Sequence, residues 1–320
     1  MRPALTRALE ALRRGDLIGL PTETVYGLGA DASNELAVRR IFAVKGRPST
    51  HPLIVHVADL PEARRWASTF SAHAEALAAA FWPGPLTLIV PRSDRPSDAV
   101  TGGQNTVGLR VPDHPLALEL LREFAGGIAA PSANRYGRVS PTTAQHVRDE
   151  LGSDVAEVLD GGPCTVGVES TIVDLSGVAP RLLRPGGVPL EAIEAALHAR
   201  VPLATAATDI RAPGMVASHY APRAGLVLAT RDSLEKEVTK RLAAGARVAV
   251  LAPSSEQPPT GAIHLAIPDD AEGYARALYG LLREADARGC DVIVAIRPTD
   301  SGLGLAVNDR LTRAATPRRT

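Results

Sequence analysis

Lys45 and Arg47 form a pair of cations suited to the oxygens of a phosphate chain. Lysine is rare in this sequence, occurring only at positions 45, 236 and 240, and all the others among the 35 Lys and Arg are arginines. Cations at a helix end are favoured by the helix dipole, so the pair could simply cap the helix predicted just before it. A generic cap in such an arginine-rich chain would more often be arginine. We therefore favour a triphosphate as the ligand, since a compact ammonium beside a planar guanidinium suits its oxygens.

Arg110 is a second candidate for binding an anion. It follows Thr106 and Gly108 at a spacing of two, so all three residues share one face of a predicted strand. Arginine is almost never buried without a partner, and this position therefore requires an anion. A carboxylate of the protein and a carboxylate of a substrate satisfy that requirement equally well.

Several loops combine hydroxyl groups with glycine or proline beside predicted strands. The segment Pro21–Gly29 offers two hydroxyls, a carboxylate and glycines, which suit a polar ligand as well as an ordinary turn. His51 and His56 flank a predicted strand and point to opposite faces, so they cannot share a metal ion, and no metal site is predicted. Ser140 is a candidate N-cap of the next helix, where a phosphate could also bind.

These residues are positioned by strands and helices that alternate up to about residue 200, as in a mixed α/β domain. The apolar residues of the first predicted helix are Leu36, Val38, Ile41 and Phe42. Apolar runs and periodicity predict strands at residues 17–20, 53–57, 86–90, 107–111, 128–130 and 171–174, and helices at residues 35–44, 72–80, 116–124 and 143–151.

A second, smaller α/β domain of doubly wound type is predicted near the C-terminus. Residues 201–225 are rich in alanine, proline and small polar residues, which is typical of a linker. We therefore predict a catalytic domain at residues 1–200, a linker at 201–225 and a second domain at 226–320. Strands are predicted at residues 226–229, 247–252, 262–267 and 291–295, with helices at 232–243, 271–287 and from about 306.

Composition excludes several classes of protein. The chain is 45% hydrophobic, and its 35 Lys and Arg balance 35 Asp and Glu, so no overall field attracts nucleic acid or an anionic membrane. Two distant cysteines indicate neither disulfides nor a zinc finger, and no apolar run approaches membrane-spanning length. We expect a cytoplasmic protein. The sequence also lacks the Walker P-loop, the dinucleotide-binding glycine motif, the zincin motif and the hydrolase nucleophile elbow.

Six motifs stand in order over residues 21–174: PTETVYGLG, KGRP, HPLIVH, WPGPLT, PSAN and VESTIVD. Together they resemble the YrdC-like threonylcarbamoyl-adenylate synthases. The later motifs APGM, SHYAP and GLGLA resemble the linker and the Sua5-type C-terminal domain of the two-domain members. The resemblance implies an α/β fold: a YrdC-like domain with a twisted mixed sheet and a central cavity, followed by a smaller Rossmann-like domain.

The resemblance also implies a reaction. Threonine is carboxylated by bicarbonate, and the carbamate attacks the α-phosphate of ATP, giving threonylcarbamoyl-AMP and pyrophosphate for modification of tRNA. Mg²⁺ is expected with ATP, and the product is expected to pass to tRNA-modifying threonylcarbamoyl transferase proteins. The linker around 215–220 is expected to gate nucleotide entry and pyrophosphate exit. The resemblance assigns catalysis to Lys45, Arg47, Ser132 and Asn134, threonine binding to Thr24, His56, Arg110, Ala130 and Ser170, and ATP binding to Arg47, His51, Thr106, Ser132, Ser140, Arg184 and Tyr220.

Two alternatives remain at this point. The first is a ribosome-maturation factor that binds double-stranded RNA or tRNA, although residues 1–200 carry 20 Lys and Arg against 22 Asp and Glu. A local basic patch would permit weak RNA binding and would serve ATP equally well. The second is a carbamoyltransferase related to hydrogenase maturation enzymes, but the cysteine count excludes the zinc-finger modules of those proteins.

Overall fold

The computed structural model describes residues 2–204, 211–214 and 219–316. They form two compact units, each made of more than one stretch of chain. The predicted boundaries at residues 200 and 225 stay predictions, and part of the linker, residues 205–210 and 215–218, lies outside the described residues. The first unit contains Met1–Tyr136, Ser140–Thr165 and Glu169–Met215, and the second contains Gly137–Val139, Val166–Val168 and Val216–Thr320.

The first unit is built on a nine-stranded mixed sheet with the order β7-β1-β2-β6-β3-β5-β4-β8-β9. Three neighbouring pairs are parallel, namely β1 with β7, β3 with β5 and β4 with β8, and the others are antiparallel. The strands are β1 (Ile18–Leu20), β2 (Gly27–Asp31), β3 (Ile54–His56), β4 (Leu86–Pro91), β5 (Thr106–Arg110), β6 (Ile128–Ala129), β7 (Glu157–Val158), β8 (Thr171–Asp174) and β9 (Arg181–Arg184).

Helices surround this sheet, and their ends follow from local sequence. Asn34 caps the second helix by accepting a hydrogen bond from the Ala37 amide, and Gly46 ends it with φ of 64°. The helices are α1 (Pro3–Arg13), α2 (Glu35–Lys45), α3 (Leu60–Trp66), α4 (Ala72–Phe81), α5 (Asp98–Thr101), α6 (Pro115–Phe124), α7 (Ala144–Leu151) and α8 (Leu190–Leu197), with a 3-10 turn at Gly152–Asp154.

One face of the sheet packs against a large apolar core. Val55 of β3 and Val107 and Leu109 of β5 enter this core. Because side chains alternate along a strand, the intervening His56 and Arg110 project from the opposite face. That face also carries two smaller apolar clusters, of which His56 and Arg110 are not members. Two buried polar side chains are thus placed between apolar surfaces.

The second unit contains a four-stranded sheet with the order β10-β13-β11-β12, parallel throughout. All six residues of β11 (Val248–Pro253) are buried. Val248, Val250 and Ala252 pack against Leu234 and Val238 of the helix α9 (Arg231–Ala243). Helices therefore cover both faces, as parallel sheets require, and the predicted α/β class is confirmed. Its elements are β10 (Gly225–Ala229), α9 (Arg231–Ala243), β11 (Val248–Pro253), β12 (Ile263–Ile267), α10 (Ala271–Ala287), β13 (Val292–Ile296) and α11 (Gly304–Ala315).

Leu36, one of the apolar residues of α2, is 76% exposed, because the turn of about 100° per residue places it on the side of α2 away from Val38 and Ile41. Two local predictions are wrong. The predicted turn at Pro21–Gly29 is shorter, since Gly27 begins β2 and pairs with β1. Ser140 does not cap α7; Thr143 does so by accepting a hydrogen bond from the His146 amide at 3.2 Å.

Over the described ranges, no helix combines the length and the apolar character that crossing a membrane requires.

Candidate active site

His56 and Arg110 form the centre of a buried polar cluster in the first unit. They are aligned in register on the neighbouring parallel strands β3 and β5, so their side chains leave the same face of the sheet. Their exposed fractions are 3% and 4%. Thr106 lies on this face too, at the other end of β5, about 13 Å along the strand. The predicted shared face of Thr106, Gly108 and Arg110 agrees with the strand that the structure shows.

A carboxylate of the protein, that of Glu23, lies beside Arg110. Nη2 of Arg110 lies 2.7 Å from Oε1 of Glu23, and both side chains are almost fully buried. Nε of Arg110 also donates to the carbonyl of Gly84 at 3.2 Å. Of the two partners left open by the sequence, a carboxylate of the protein is therefore present. Sequence reasoning did not single out Glu23, and its position directly before Thr24 was the available signal.

His56 is held in its neutral form. Burial, and next the charge of Arg110, lower the pKa of His56 to about 3, while the backbone carbonyls of Ile128 and Ile54 act in the opposite direction. A neutral imidazole presents one donor and one acceptor to a ligand. Burial and the nearby Glu23 raise the pKa of the Cys164 thiol to about 12, so this cysteine is no nucleophile near neutral pH.

Hydroxyl groups line the loop between β1 and β2. The hydroxyl of Thr22 donates to the carbonyl of Val25 at 2.7 Å, so in the 2.8 Å contact between Thr22 and Thr24 the donor is Thr24. Thr24 has no exposed surface in this structure. Gly27 lies close to Ala130, since a Cβ on Gly27 would come within 3.0 Å of the Ala130 methyl. Ala130 therefore lies beside the start of β2, which directly follows the loop that carries Thr24.

A second hydroxyl pair connects Ser170 to the neighbouring strand. Oγ of Ser170 lies 2.8 Å from Oγ1 of Thr87 on β4. The buried guanidinium of Arg184 donates to the Ser170 carbonyl at 2.7 Å and to its hydroxyl at 3.2 Å. Nη1 of Arg184 also donates to the carbonyl of Pro213 at 2.9 Å. Arg184, predicted on the ATP side, thus contacts Ser170, predicted on the threonine side.

Lys45 is brought together with Ser132 and Asn134, as the resemblance implies. Its ammonium donates to the carbonyl of Ser132 and, at 2.5 Å, to that of Asn134. Lys45 is 3% exposed at the end of α2. Burial, followed by the charge of Arg47, holds the pKa of Lys45 well below its usual range. An anion arriving beside this ammonium would stabilise its charged form.

Arg47 adds a second cation near Lys45, and His51 lies close to Arg47. Nη2 of Arg47 donates to the carbonyl of Pro52 at 2.9 Å. Burial, followed by the charges of Arg47 and Arg211, lowers the pKa of His51, whose Nδ1 lies 3.4 Å from the Tyr136 hydroxyl. Concentrated positive charge of this kind suits the oxygens of a polyphosphate.

Ser140 binds Glu169 instead of capping a helix. Its hydroxyl donates to Oε1 of the buried Glu169 at 2.6 Å. Glu169 also acts on Lys45, because its negative charge opposes the lowering of the Lys45 pKa. The structure therefore connects Ser140 to the lysine through Glu169.

Tyr220 belongs to the second unit. Its backbone has φ of 61°, a left-handed conformation rare for a bulky residue. The ring is buried, with the Cζ atom of Arg310 5.0 Å from its centre and the His219 ring at 4.1 Å. Contact of Tyr220 with ATP stays a prediction. The adjacent residues 215–218, predicted to gate the nucleotide, lie outside the described residues.

Metal ligands were not predicted in the chain itself. In the parts of the chain that the structure describes, no three His, Cys, Asp or Glu side chains are grouped as metal ligands would be. Mg²⁺ carried by ATP needs no such group, since phosphate and water hold it. The ion stays a prediction.

Two family models match the chain in succession. The model of the Sua5, YciO and YrdC proteins, described as telomere recombination, matches residues 10–186. The model described as threonylcarbamoyl-AMP synthase, C-terminal domain, matches residues 188–316. Both matched regions therefore correspond to family models that carry the Sua5 name.

Proteins from two organisms are similar to this chain over nearly its whole length. The threonylcarbamoyl-AMP synthase of Pyrococcus abyssi (strain GE5 / Orsay) is 42% identical over 95% of this chain and 92% of its own length. That of Bacillus subtilis (strain 168) is 41% identical over 98% of this chain and 93% of its own. The crystal structure of P. abyssi Sua5 complexed with L-threonine matches 97% of this chain and 94% of that one, with a TM-score of 0.92 and 41% identity. The chain belongs to the Sua5-type family of two-domain threonylcarbamoyl-AMP synthases.

Proposed function

We propose that this chain forms threonylcarbamoyl-AMP and pyrophosphate from L-threonine, bicarbonate and ATP. The observation that carries the proposal is the similarity, over 97% of the chain, to a Sua5 protein crystallised with L-threonine. The buried cluster supports it, because Arg110, His56 and Lys45 offer groups for an amino acid and a phosphate chain. We further propose that the enzyme is a nucleotidyltransferase, since its product carries AMP.

In this reaction the protein needs no covalent nucleophile. The free amine of threonine attacks the carbon of bicarbonate, and water leaves as the carbamate forms. A carbamate oxygen then attacks the α-phosphorus of ATP as the bond to pyrophosphate breaks. Catalysis then depends on holding two anionic reactants in line and neutralising their charge. We assign the α-carboxylate of threonine to Arg110 and its hydroxyl side to Thr24 and Ser170, with neutral His56 and the Ala130 backbone beside them.

We place the triphosphate of ATP at the side of the cluster that carries Lys45 and Arg47. Lys45 is the key group, because its desolvated ammonium has only backbone carbonyls as hydrogen-bond acceptors among the described residues. A phosphate oxygen would add a charged partner to it. For the rest of the nucleotide we propose the other residues that the sequence resemblance assigns to ATP binding and catalysis: Arg47, His51, Thr106, Ser132, Asn134, Ser140 and Arg184. Mg²⁺ would arrive on the triphosphate and screen its charge.

Other features of the proposal concern the cellular context. We propose a cytoplasmic enzyme whose labile product passes to threonylcarbamoyl transferase proteins that modify tRNA. Tyr220 and the linker would act on the nucleotide during turnover. Salt-dependent binding of bare tRNA without consumption of ATP would instead favour the RNA-binding alternative.

Release of pyrophosphate by the purified protein tests the proposal. Release should require threonine, bicarbonate and ATP together, and serine should replace threonine poorly. The change Lys45→Met should lower kcat/KM for ATP by about 10²- to 10³-fold, the usual effect of removing one positioned donor. Lys240→Met is the matched control, because Lys240 is exposed on α9 of the second unit and should leave release unchanged. Release that is indifferent to threonine would refute the proposed reaction.

A further inference from the structure

Glu23 is a buried carboxylate without the hydrogen bonds that such a group normally has. Three carboxylates in the described parts of the chain are buried, namely Glu23, Glu169 and Asp174. Asp174 accepts hydrogen bonds from Ser176 and Arg181, and Glu169 accepts one from Ser140. Within the same described residues, neither oxygen of Glu23 accepts a hydrogen bond. Glu23 is therefore the exception among groups of one chemical type.

The ion pair with Arg110 does not satisfy Glu23. The two charges lie 2.7 Å apart, but the contact is not aligned as a hydrogen bond, and Nη2 of Arg110 also lacks an acceptor among the described residues. Nδ1 of His56, on the strand beside Arg110, is likewise without a partner in the described parts of the chain. Buried polar atoms that lack partners are destabilising, and several together call for an explanation. A ligand that supplies the missing partners provides one.

The charges of this cluster define the ligand. Glu23 requires a donor, preferably cationic, whereas Arg110 requires an anionic acceptor. A simple anion would be repelled by Glu23, and a simple cation would be repelled by Arg110. A small molecule with an ammonium and a carboxylate on one carbon satisfies both groups and leaves the site neutral. An α-amino acid in its zwitterionic form has this arrangement.

We propose that Glu23 binds the α-ammonium group of L-threonine while Arg110 binds its α-carboxylate, so that the buried ion pair recognises the backbone of the amino acid. This inference rests on the proposed function, because it concerns the threonine site of that reaction. It adds a residue to the site that the sequence motifs did not assign. Glu23 holds the nitrogen that receives the carboxylate group, and it excludes carboxylic acids that lack an amine.

Binding to the full-length protein, measured by calorimetry, tests the role of Glu23. The two ligands are L-threonine and 2,3-dihydroxybutanoate, in which a hydroxyl replaces the ammonium. Wild-type protein should bind threonine about ten- to hundredfold more tightly, as expected for a charge-assisted hydrogen bond. Glu23→Gln keeps the size of the side chain and removes its charge. It should weaken threonine binding by that factor and leave the analogue within about threefold of wild type.

Asp174→Asn is the matched control, because Asp174 is also a buried carboxylate paired with an arginine in the same unit. It should lower stability without changing the preference for threonine over the analogue. Equal weakening of both ligands by Glu23→Gln would assign Glu23 a merely structural role and overturn the inference. Should that variant not fold, the wild type decides, since equal affinity for the two ligands also overturns it. Pyrophosphate release that still requires threonine would show that only the role of Glu23 had failed.

Discussion

Replacing Arg310 by methionine should loosen the backbone around Tyr220 in the second unit. Tyr220 has φ of 61° and is 1% exposed. A bulky residue in this region costs on the order of 1–3 kcal/mol, so surrounding contacts must hold it there. The guanidinium of Arg310 lies over the ring, 5.0 Å from its centre, and α11 carries it. We therefore expect the stacking to maintain the conformation.

The free energy lost with the stacking depends on how deeply Arg310 is buried. A cation over an aromatic ring contributes about 0.5–1 kcal/mol when exposed and about 2 kcal/mol when desolvated. Arg310 is 1% exposed, which selects the upper value. A loss of about 2 kcal/mol corresponds to roughly a 30-fold increase in the population of the open form. The salt bridge of Arg310 with Asp309 at 2.6 Å is lost at the same time, so a single variant overstates the stacking.

Hydrogen exchange of the Ala221 amide reports this opening, because that amide donates to the carbonyl of Gly137 at 2.9 Å within the same unit. Arg310→Met should exchange at least about 30-fold faster at this amide. A double-mutant cycle with Tyr220→Leu isolates the stacking, and we expect a coupling of about 2 kcal/mol. Additive effects of the two changes, within about 0.5 kcal/mol, would refute the reasoning.

Three further predictions concern the first unit. Because burial and Arg110 lower the pKa of His56 from 6.5 to about 3, the unfolded chain binds more protons between these values, and stability should fall as pH decreases through that window. His56→Gln should flatten this dependence in denaturation curves measured at several pH values. Leu36→Glu should change the free energy of unfolding by less than about 0.5 kcal/mol, whereas Ile41→Ala should lower it by about 2–5 kcal/mol. Cys164, with a thiol pKa of about 12, should resist alkylation until the protein unfolds, as mass spectrometry after iodoacetamide treatment would show.

Local sequence was sufficient for much of the fold. The helix predicted at residues 271–287 has those bounds in the structure, because its apolar residues recur at helical spacing. Alternation along residues 106–110 also placed Arg110 on the correct face. The helix α1 was missed, although Leu5, Leu9 and Leu12 form a buried stripe along it.

The candidate site was harder to predict, because its contacts join distant parts of the chain. Glu23 meets Arg110 only after the strand order of the sheet brings the loop between β1 and β2 close to the end of β5. Ser140 has the residue type of a helix cap, but Thr143 takes that role and leaves Ser140 to bind Glu169. A hydroxyl suits either partner, and the backbone of the intervening loop decides between them. Such a choice depends on tertiary packing.

The polar groups of the site are arranged at the expense of stability. Lys45 is held as a desolvated ammonium by backbone carbonyls, and Glu23 lacks hydrogen bonds among the described residues. Both conditions are unfavourable without a ligand, whereas a bound phosphate chain and a bound amino acid would relieve them. The apolar core on the other face of the sheet offsets this loss. Substitutions that satisfy Glu23 from within the protein should therefore stabilise the fold and weaken threonine binding, because one carboxylate cannot serve both partners.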